Sequence, residues 1–321
     1  VSWFCLATGG GAYSQTSAPG KMPRVGFLLN MTAPSAGKAV PIHDGFVEGM
    51  RERGYVDGKN VIIEKRWAEG RLERLPELVA DLMRQRVDVL VVGGQQGLDA
   101  ARRAGGAVPT VVVACDPLEA LVGSLAKPGG TITGLTCVSS ELAGKRLELL
   151  KELVPGLKRV AVAYNPGDVN KEIELREMRS YAKTLGVTLR PMPMASEPKF
   201  DQGFRAMRDH NGQAVVVLAD PLFNFHVARL SALANQYRIP AIFGFDTYVV
   251  AGGLMSYGAS LYEMNRGAAG YVDRILKGTP PGSLPIQQPT RFELVVNAKT
   301  ARALGVRIPQ SILLRADRVI E

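Results

Sequence analysis

Val25-Gly26-Phe27-Leu28-Leu29 and Arg159-Val160-Ala161-Val162-Ala163-Tyr164 are the two stretches whose reading decides the fold. Each is a short apolar run with no polar alternation, the mark of a strand covered on both faces. The same succession of elements comes after each run. After the first come helical spacing over 42–53 that stops at Gly54, a strand at 60–65, a helix over 72–84 and a strand at 87–92. A helix through 98–103 then leads to the strand Thr110–Ala114. After the second come a helix over 173–185 ending at Gly186, a strand at 187–192, a helix around 200–208 and a strand at 214–218. A helix over 225–237 and a strand at 241–245 complete the series. Strands alternating with helices predict parallel sheets with crossover helices.

The punctuation repeats as well. Arg53-Gly54-Tyr55 and Leu185-Gly186-Val187 each end a helix on glycine, which tolerates the left-handed cap. Val108-Pro109-Thr110 and Ile239-Pro240-Ala241 each open a strand with proline, where a missing N–H does least harm. Gly129-Gly130 before Thr131 is matched by Gly252-Gly253 before Leu254. Two copies of one βα order predict an α/β protein of two doubly wound parallel-sheet lobes. The segments near 135–143, 256–260 and 284–294 lie where the lobes end, so about three crossings should join them as a multi-strand hinge. The helix over 262–276 should return to the first lobe, and 298–320 should finish against the second. The expected division is therefore 1–22 ahead of the fold, 23–137 plus about 258–285 as lobe 1, and 138–257 plus about 286–321 as lobe 2.

Composition agrees. A chain of 321 residues with 46% hydrophobic and 21% charged side chains is globular and large enough for two cores. It holds no run of roughly 18 apolar residues, so no bilayer-spanning helix is expected. The net charge of +9 is spread along amphipathic stretches rather than gathered in a block, which reads as solvated helix faces and not as a nucleic-acid groove. Residues 1–17 are uncharged and rich in small side chains, and Ala12-Tyr13-Ser14 is a passable cleavage site, so this stretch reads as the tail of a secretory signal. Phe4 ahead of Cys5 argues against a lipid anchor. Cys5, Cys115 and Cys137 show no metal-ligand spacing and cannot all pair; whether Cys115 and Cys137 bond is left open.

In open α/β sheets ligands bind beyond the carboxyl ends of the strands. With two lobes face to face, the loops after the strands converge on one cleft. The candidates there are Asn30, Met31 and Thr32 after the first strand, Gly94, Gln95 and Gln96 after the third, and Cys115 and Asp116 after the fourth. The second lobe offers Asn165, Asp220, Phe245 and Asp246. Short polar side chains, helix N-termini and a few aromatics suit a small zwitterion or carboxylate. Asn165-Pro166 and Asp220-Pro221 serve equally well as turn initiators and helix caps. His43, His210 and His226 share no motif with a nucleophile, and no phosphate loop or dinucleotide fingerprint occurs. No cofactor or metal is expected, and binding is favoured over catalysis.

Several motifs together resemble a known family. They are Asp116-Pro117, the stretch from Ser124-Leu125-Ala126-Lys127-Pro128-Gly129-Gly130 to Thr131-Ile132-Thr133-Gly134, Gly252-Gly253-Leu254-Met255-Ser256-Tyr257-Gly258, and Ile275-Leu276-Lys277-Gly278. Leu284-Pro285-Ile286-Gln287-Gln288-Pro289-Thr290 and the ending Arg315-Ala316-Asp317-Arg318-Val319-Ile320-Glu321 complete the set. The chain from 23 to 321 is similar to the ABC transporter substrate-binding proteins related to tryptophan-binding lipoproteins, which have the type I periplasmic-binding-protein architecture. The resemblance implies a monomeric periplasmic protein that takes a small-molecule solute, an amino acid or an aromatic or carboxylate-like compound, by hinge closure. It implies an inner-membrane permease with a cytoplasmic ATPase as partners, and no enzymatic activity. Two other readings compete. The effector-binding core of a transcriptional regulator shares the bilobed fold, but no helical pattern for a helix-turn-helix precedes Arg24. A Rossmann-like amino-acid enzyme acting through Cys115 would need a second thiol across the cleft, and Cys137 falls in the same lobe.

Overall fold

The computed structural model describes residues 21–33, 40–105, 107–115, 122, 124–137, 142–168 and 170–321. The first sheet holds β1 (Arg24–Leu29), β2 (Ile62–Trp67), β3 (Val89–Gly93), β4 (Thr110–Ala114) and β5 (Ile132–Thr136), ordered β2-β1-β3-β4-β5 and parallel throughout. Its strands are apolar on both sides because helices cover both. Val25, Phe27 and Leu29 of β1 share a core with Phe46 and Met50 of α1 (Pro41–Glu52). Leu28 faces the other way, among Leu75, Val79 and Leu82 of α2 (Leu75–Arg84) and Leu98 of α3 (Gly94–Arg103). The spacing Leu75, Leu78, Val79, Leu82 is the i, i+3, i+4, i+7 stripe that a helix buries on one face.

The second sheet holds β6 (Arg159–Tyr164), β7 (Thr188–Pro193), β8 (Ala214–Val217), β9 (Ala241–Phe243), β10 (Met255–Gly258), β11 (Glu293–Asn297) and β12 (Arg318–Ile320). The order is β12-β11-β10-β9-β8-β6-β7, and among these strands only the β10–β11 pair is antiparallel. On one face lie α4 (Ala143–Leu153) and α5 (Asn170–Leu185). On the other lie α6 (Pro198–Asp209), the short α7 (Pro221–Phe225) and α8 (Val227–Gln236), and α9 (Asp246–Val250) joins β9 to β10. Both sheets are thus doubly wound, as the repeated pattern predicts.

Two differences from expectation bear on the cleft. The helix after β3 begins at Gly94 rather than near 98, because Gly94 takes φ +74 and turns the chain from strand to helix in one residue. The helix expected over 225–237 is α8, and a short helix that was not expected, α7, precedes it and ends at His226. Asp220 caps α7 and Pro221 occupies its first position, where a missing N–H costs nothing.

The chain leaves the first sheet after β5, builds most of the second, and returns after β10 as α10 (Leu261–Leu276). It then runs beside β5, where Thr136 N–H donates to Gln287 O (2.9 Å) and Gln287 N–H to Gly134 O (3.0 Å), before entering β11. What holds α10 to the first lobe is backbone contact with α1. A Cβ on Gly45 would lie 2.2 Å from Tyr262 O, and one on Gly49 would lie 2.4 Å from Arg266 O and 2.9 Å from the Ala269 Cβ. The pair is flanked by Arg266–Glu52 (2.6 Å) and by Tyr55 Oη donating to Asp273 (3.1 Å). Substituting Gly49→Ala gains about 1 kcal/mol of helix propensity but forces apart two backbones, which costs more. We expect a net loss of about 1–3 kcal/mol in urea melts; a variant at least as stable as the parent would show that the helices do not depend on this contact.

Candidate functional site

The carboxyl ends of both sheets meet around a cleft with a cavity of about 90 Å³ that opens to solvent. Each wall is what the end of a strand delivers. Asn30 and Met31 follow β1, Gly93 and Gly94 lie where β3 turns into α3, and Cys115 follows β4. From the second lobe come Ala219, Asp220 and Pro221 after β8, Asn224 on α7, and Phe245 after β9. Ile42 of α1 and Leu261 and Asn265 of α10 close the side. The wall is mainly apolar, and Asp220 is the one ionisable side chain among the described residues that line it.

Asp220 is buried, at 2% exposure. Its Oδ1 accepts from Leu222 N–H (2.8 Å) and from Asn165 Nδ2 (3.2 Å), while Oδ2 has no partner. Burial pushes its pKa up to about 6, with the Leu222 N–H, the Lys171 charge and Asn165 pulling partly the other way. Behind it lies a buried ionic chain: Asp168–Lys171 (3.5 Å), Lys171–Glu174 (3.6 Å) and Glu174–Arg146 (3.6 Å). Arg146 Nε donates to Tyr257 O (2.9 Å) at the end of β10, so this chain reaches from the cleft to the return crossing. Burial lowers the Arg146 pKa, and Glu174 opposes the shift.

The other polar groups have fixed roles. Tyr248 Oη donates to Asn224 Oδ1 (3.0 Å), which leaves the Asn224 amide nitrogen as its free donor. Asn265 Nδ2 donates to Leu261 O (2.9 Å). The first-turn N–H groups of α3 have no side-chain cap, so the positive end of a ten-residue helix faces the cleft at Gly94. Asn30 carries a buried amide whose Oδ1 and Nδ2 both lack partners. A buried polar group without a partner costs roughly 1–3 kcal/mol, so Asn30 and Asp220, from opposite lobes, favour an occupant that satisfies them. Among the described residues, Gly70 and Gly94 of the first lobe come close to the second. A Cβ on Gly70 would meet the Phe225 ring at 2.7 Å, and one on Gly94 would lie 3.7 Å from Pro221.

Of the residues singled out in the sequence, Asn30, Met31, Gly94, Cys115, Asp220 and Phe245 line the cleft together. Asn165 sits behind it as a hydrogen-bond partner of Asp220. Thr32 is exposed and outside the wall. Gln95 lies in the first turn of α3, where its amide donates to Asp99 Oδ1 (3.0 Å) along the helix, and Gln96 also stands outside the wall. The reason is the early helix start: with no loop after Gly94, Gln95 follows the helix surface, while the Gln96 Oε1 turns back beside Gly94 and is buried without a partner among the described residues. Asp246 is held by Arg318 (2.8 Å) against β12. Asp116 lies outside the described residues. Sequence reasoning missed Ile42, Asn224, Leu261 and Asn265. Asn224 had a signal, four residues after Asp220 on a helix announced by Asp-Pro. Asn265 had none, since α10 comes after a strand of the other lobe. Cys115 and Cys137 are joined as a disulfide, with Cα atoms 4.6 Å apart.

Two doubly wound lobes, joined by several crossings and closing on one cleft, define the class of type I periplasmic binding proteins. Comparison places the chain more narrowly: residues 31–320 match the family model for ABC transporter substrate binding proteins, and the chain belongs to that family. A tyrosine-binding protein of Clostridioides difficile (strain R20291) is 27% identical over 292 residues, 89% of this chain and 82% of the relative. A conserved domain protein of Vibrio cholerae superposes with TM-score 0.84 at 27% identity, covering 93% of this chain and 100% of that one. The ABC domain in complex with L-Trp from Streptococcus pneumoniae superposes with TM-score 0.84 at 25% identity, covering 94% and 100%. Substrate-binding proteins of ABC transporters work outside the cytoplasm, and no helix among the described residues is long and apolar enough to cross a membrane.

The Asp220 carboxyl gives the ligand-free protein a pH signature. Its folded pKa of about 6 lies above the unfolded value of about 3.9, so the folded state binds its proton more tightly. The stability this contributes is full below pH 4 and is lost as pH rises through 6, a swing on the order of 3 kcal/mol. Asp220→Asn keeps an acceptor for Leu222 and Asn165 but removes the charge. Melts without ligand should show the variant more stable than the parent at pH 7.5 and no more stable at pH 4. An equal difference at both pH values would refute the assignment.

Proposed function

We propose that this chain is the extracytoplasmic receptor of an ABC importer and that its solute is an α-amino acid with an apolar, foremost aromatic, side chain. The observation that carries the reading is the buried carboxylate of Asp220, the one carboxylate among the described residues that line a mainly apolar cleft, with Oδ2 unpartnered among them. An α-ammonium meets that need, and pairing across a desolvated gap is strong because the local dielectric is low. Across the cleft, the uncapped N-terminus of α3 and the Asn30 amide suit the α-carboxylate. Met31, Ile42, Leu261 and Phe245 supply an apolar bed for the side chain. The relatives support the same class: one is named for tyrosine and another holds L-Trp.

Binding would close the hinge through the ligand's greater affinity for the closed state. The bodies that move are 23–137 with 258–285, and 138–257 with 286–321. An inner-membrane permease with its cytoplasmic ATPase reads the closed shape, and the chain acts as a monomer without a reaction of its own. The Cys115–Cys137 disulfide supports an oxidising compartment such as the periplasm.

A thermal-shift panel tests this. L-Tryptophan, L-tyrosine and L-phenylalanine should raise the melting temperature, with about 2.7 kcal/mol of stabilisation at a hundredfold Kd. The matching amines and arylacetates, each lacking one charged group, should not. By calorimetry, Asp220→Asn should weaken binding about ten- to hundredfold. If no amino acid shifts the melt, or if Asp220→Asn binds as tightly as the parent, the amino-acid reading fails.

A further inference from the structure

Cys115 and Cys137 are, among the described residues, the one pair of chemically reactive side chains in the cleft region that solute capture leaves unused. Their placement is specific. Cys115 follows β4 and lines the cleft, where it is partly exposed, while Cys137 comes after β5 and is buried at 2% exposure. Cys137 N–H donates to Ala114 O (3.0 Å), so the two strand tips are already side by side when the sulfurs join. β5, just before Cys137, belongs to the first sheet, and Leu142 heads α4 on the second, so the chain changes lobe between them. One covalent bond therefore ties a wall of the ligand cavity to the root of the hinge.

We infer that the Cys115–Cys137 disulfide is a positioning element of the binding site, and that its redox state and the occupancy of the cleft are coupled. The argument rests on access. The Cys137 sulfur is shielded, so a reductant must approach through the cleft and attack at the Cys115 side. A small dithiol does this in two exchanges: its thiolate forms a mixed disulfide with Cys115 as Cys137 leaves as the thiolate, and its second thiol then displaces Cys115. The dithiol ends as its own cyclic disulfide, and the two cysteines take up two electrons and two protons. A ligand lying against Cys115 blocks the first exchange. Conversely, breaking the bond frees the tip of β4 from the tip of β5, so the wall that carries Cys115 and the segment that starts the hinge lose their common anchor. The shielding acts on the rate of reduction, while linkage governs the equilibrium: if the bonded form binds ligand more tightly, bound ligand favours the bonded form by the same factor.

The inference deepens the proposed function and relies on it for the ligand arm of the test, but a second arm does not. The full chain is purified oxidised, and free thiols are counted in the native state; finding both Cys115 and Cys137 titratable refutes the proposal. Ligand-free amide exchange is then compared between this protein and the Cys115→Ala/Cys137→Ala double variant. Exchange should accelerate severalfold over 110–115 and 142–146, while the strands of the second lobe keep parental rates. Unchanged exchange in both stretches overturns the proposal whether or not any amino acid binds. In the ligand arm, saturating L-tryptophan or L-tyrosine should slow dithiothreitol reduction of the native disulfide at least fivefold, and the double variant should bind the same amino acid at least tenfold more weakly. Equal reduction rates with and without a bound amino acid, or parental affinity in the double variant, overturn the coupling. If the oxidised protein binds no amino acid at all, the solute assignment falls and the exchange data alone decide the role of the disulfide.

Discussion

The backbone-to-backbone seating of α10 on α1 is the contact on which the rest of the architecture depends. Only glycine at 45 and 49 lets the Tyr262 and Arg266 carbonyls come so close. Because α10 comes after β10 of the second sheet yet packs on the first lobe, the chain must cross between lobes and then cross again to place β11. A hinge made of several strands is the outcome. The same helix carries Leu261 and Asn265 to the cleft, so one packing decision serves both the hinge and the site.

Electrostatics sets the second constraint. Among the described residues that line the cleft there is one carboxylate, in a mainly apolar wall, and the empty protein bears the desolvation of that group. The buried chain from Asp168 to Arg146 lies behind it and ends on the carbonyl of Tyr257, beside the return crossing. Buried ion pairs are poor sources of net stability but are costly to disrupt singly. Their value here is geometric: they hold the floor beneath Asp220 and the end of β10 in one fixed relation. The protein thus gives up some stability in its empty form to keep an acceptor ready.

Much of this was legible in the sequence, and the reasons are local. Strands such as Arg24–Leu29 and Arg159–Tyr164 are buried on both faces, so their apolar runs stand out, and their spacing dictates the doubly wound order. Loop residues directly after strands could be placed without knowing the packing, which is why Asn30, Met31 and Asp220 were reachable. Gln95 was not, because one positive-φ glycine replaced a loop by a helix start and turned its side chain along α3. Asn265 could not be read either, since its position depends on a tertiary contact between distant helices. The pairing of Cys115 with Cys137 needed the β4–β5 register, in which Ala114 lies opposite Thr136. The secretory reading of residues 1–17 and the candidate Asp116 fall outside the described residues.

The route of α10 also governs the order in which the molecule can form. During synthesis the first sheet is complete once β5 emerges, but the apolar face that α10 shields stays bare until everything from β6 to β10 has been made. The amino-terminal half therefore cannot lock into its final form on the ribosome ahead of the carboxyl-terminal half, and its maturation waits for nearly the whole polypeptide.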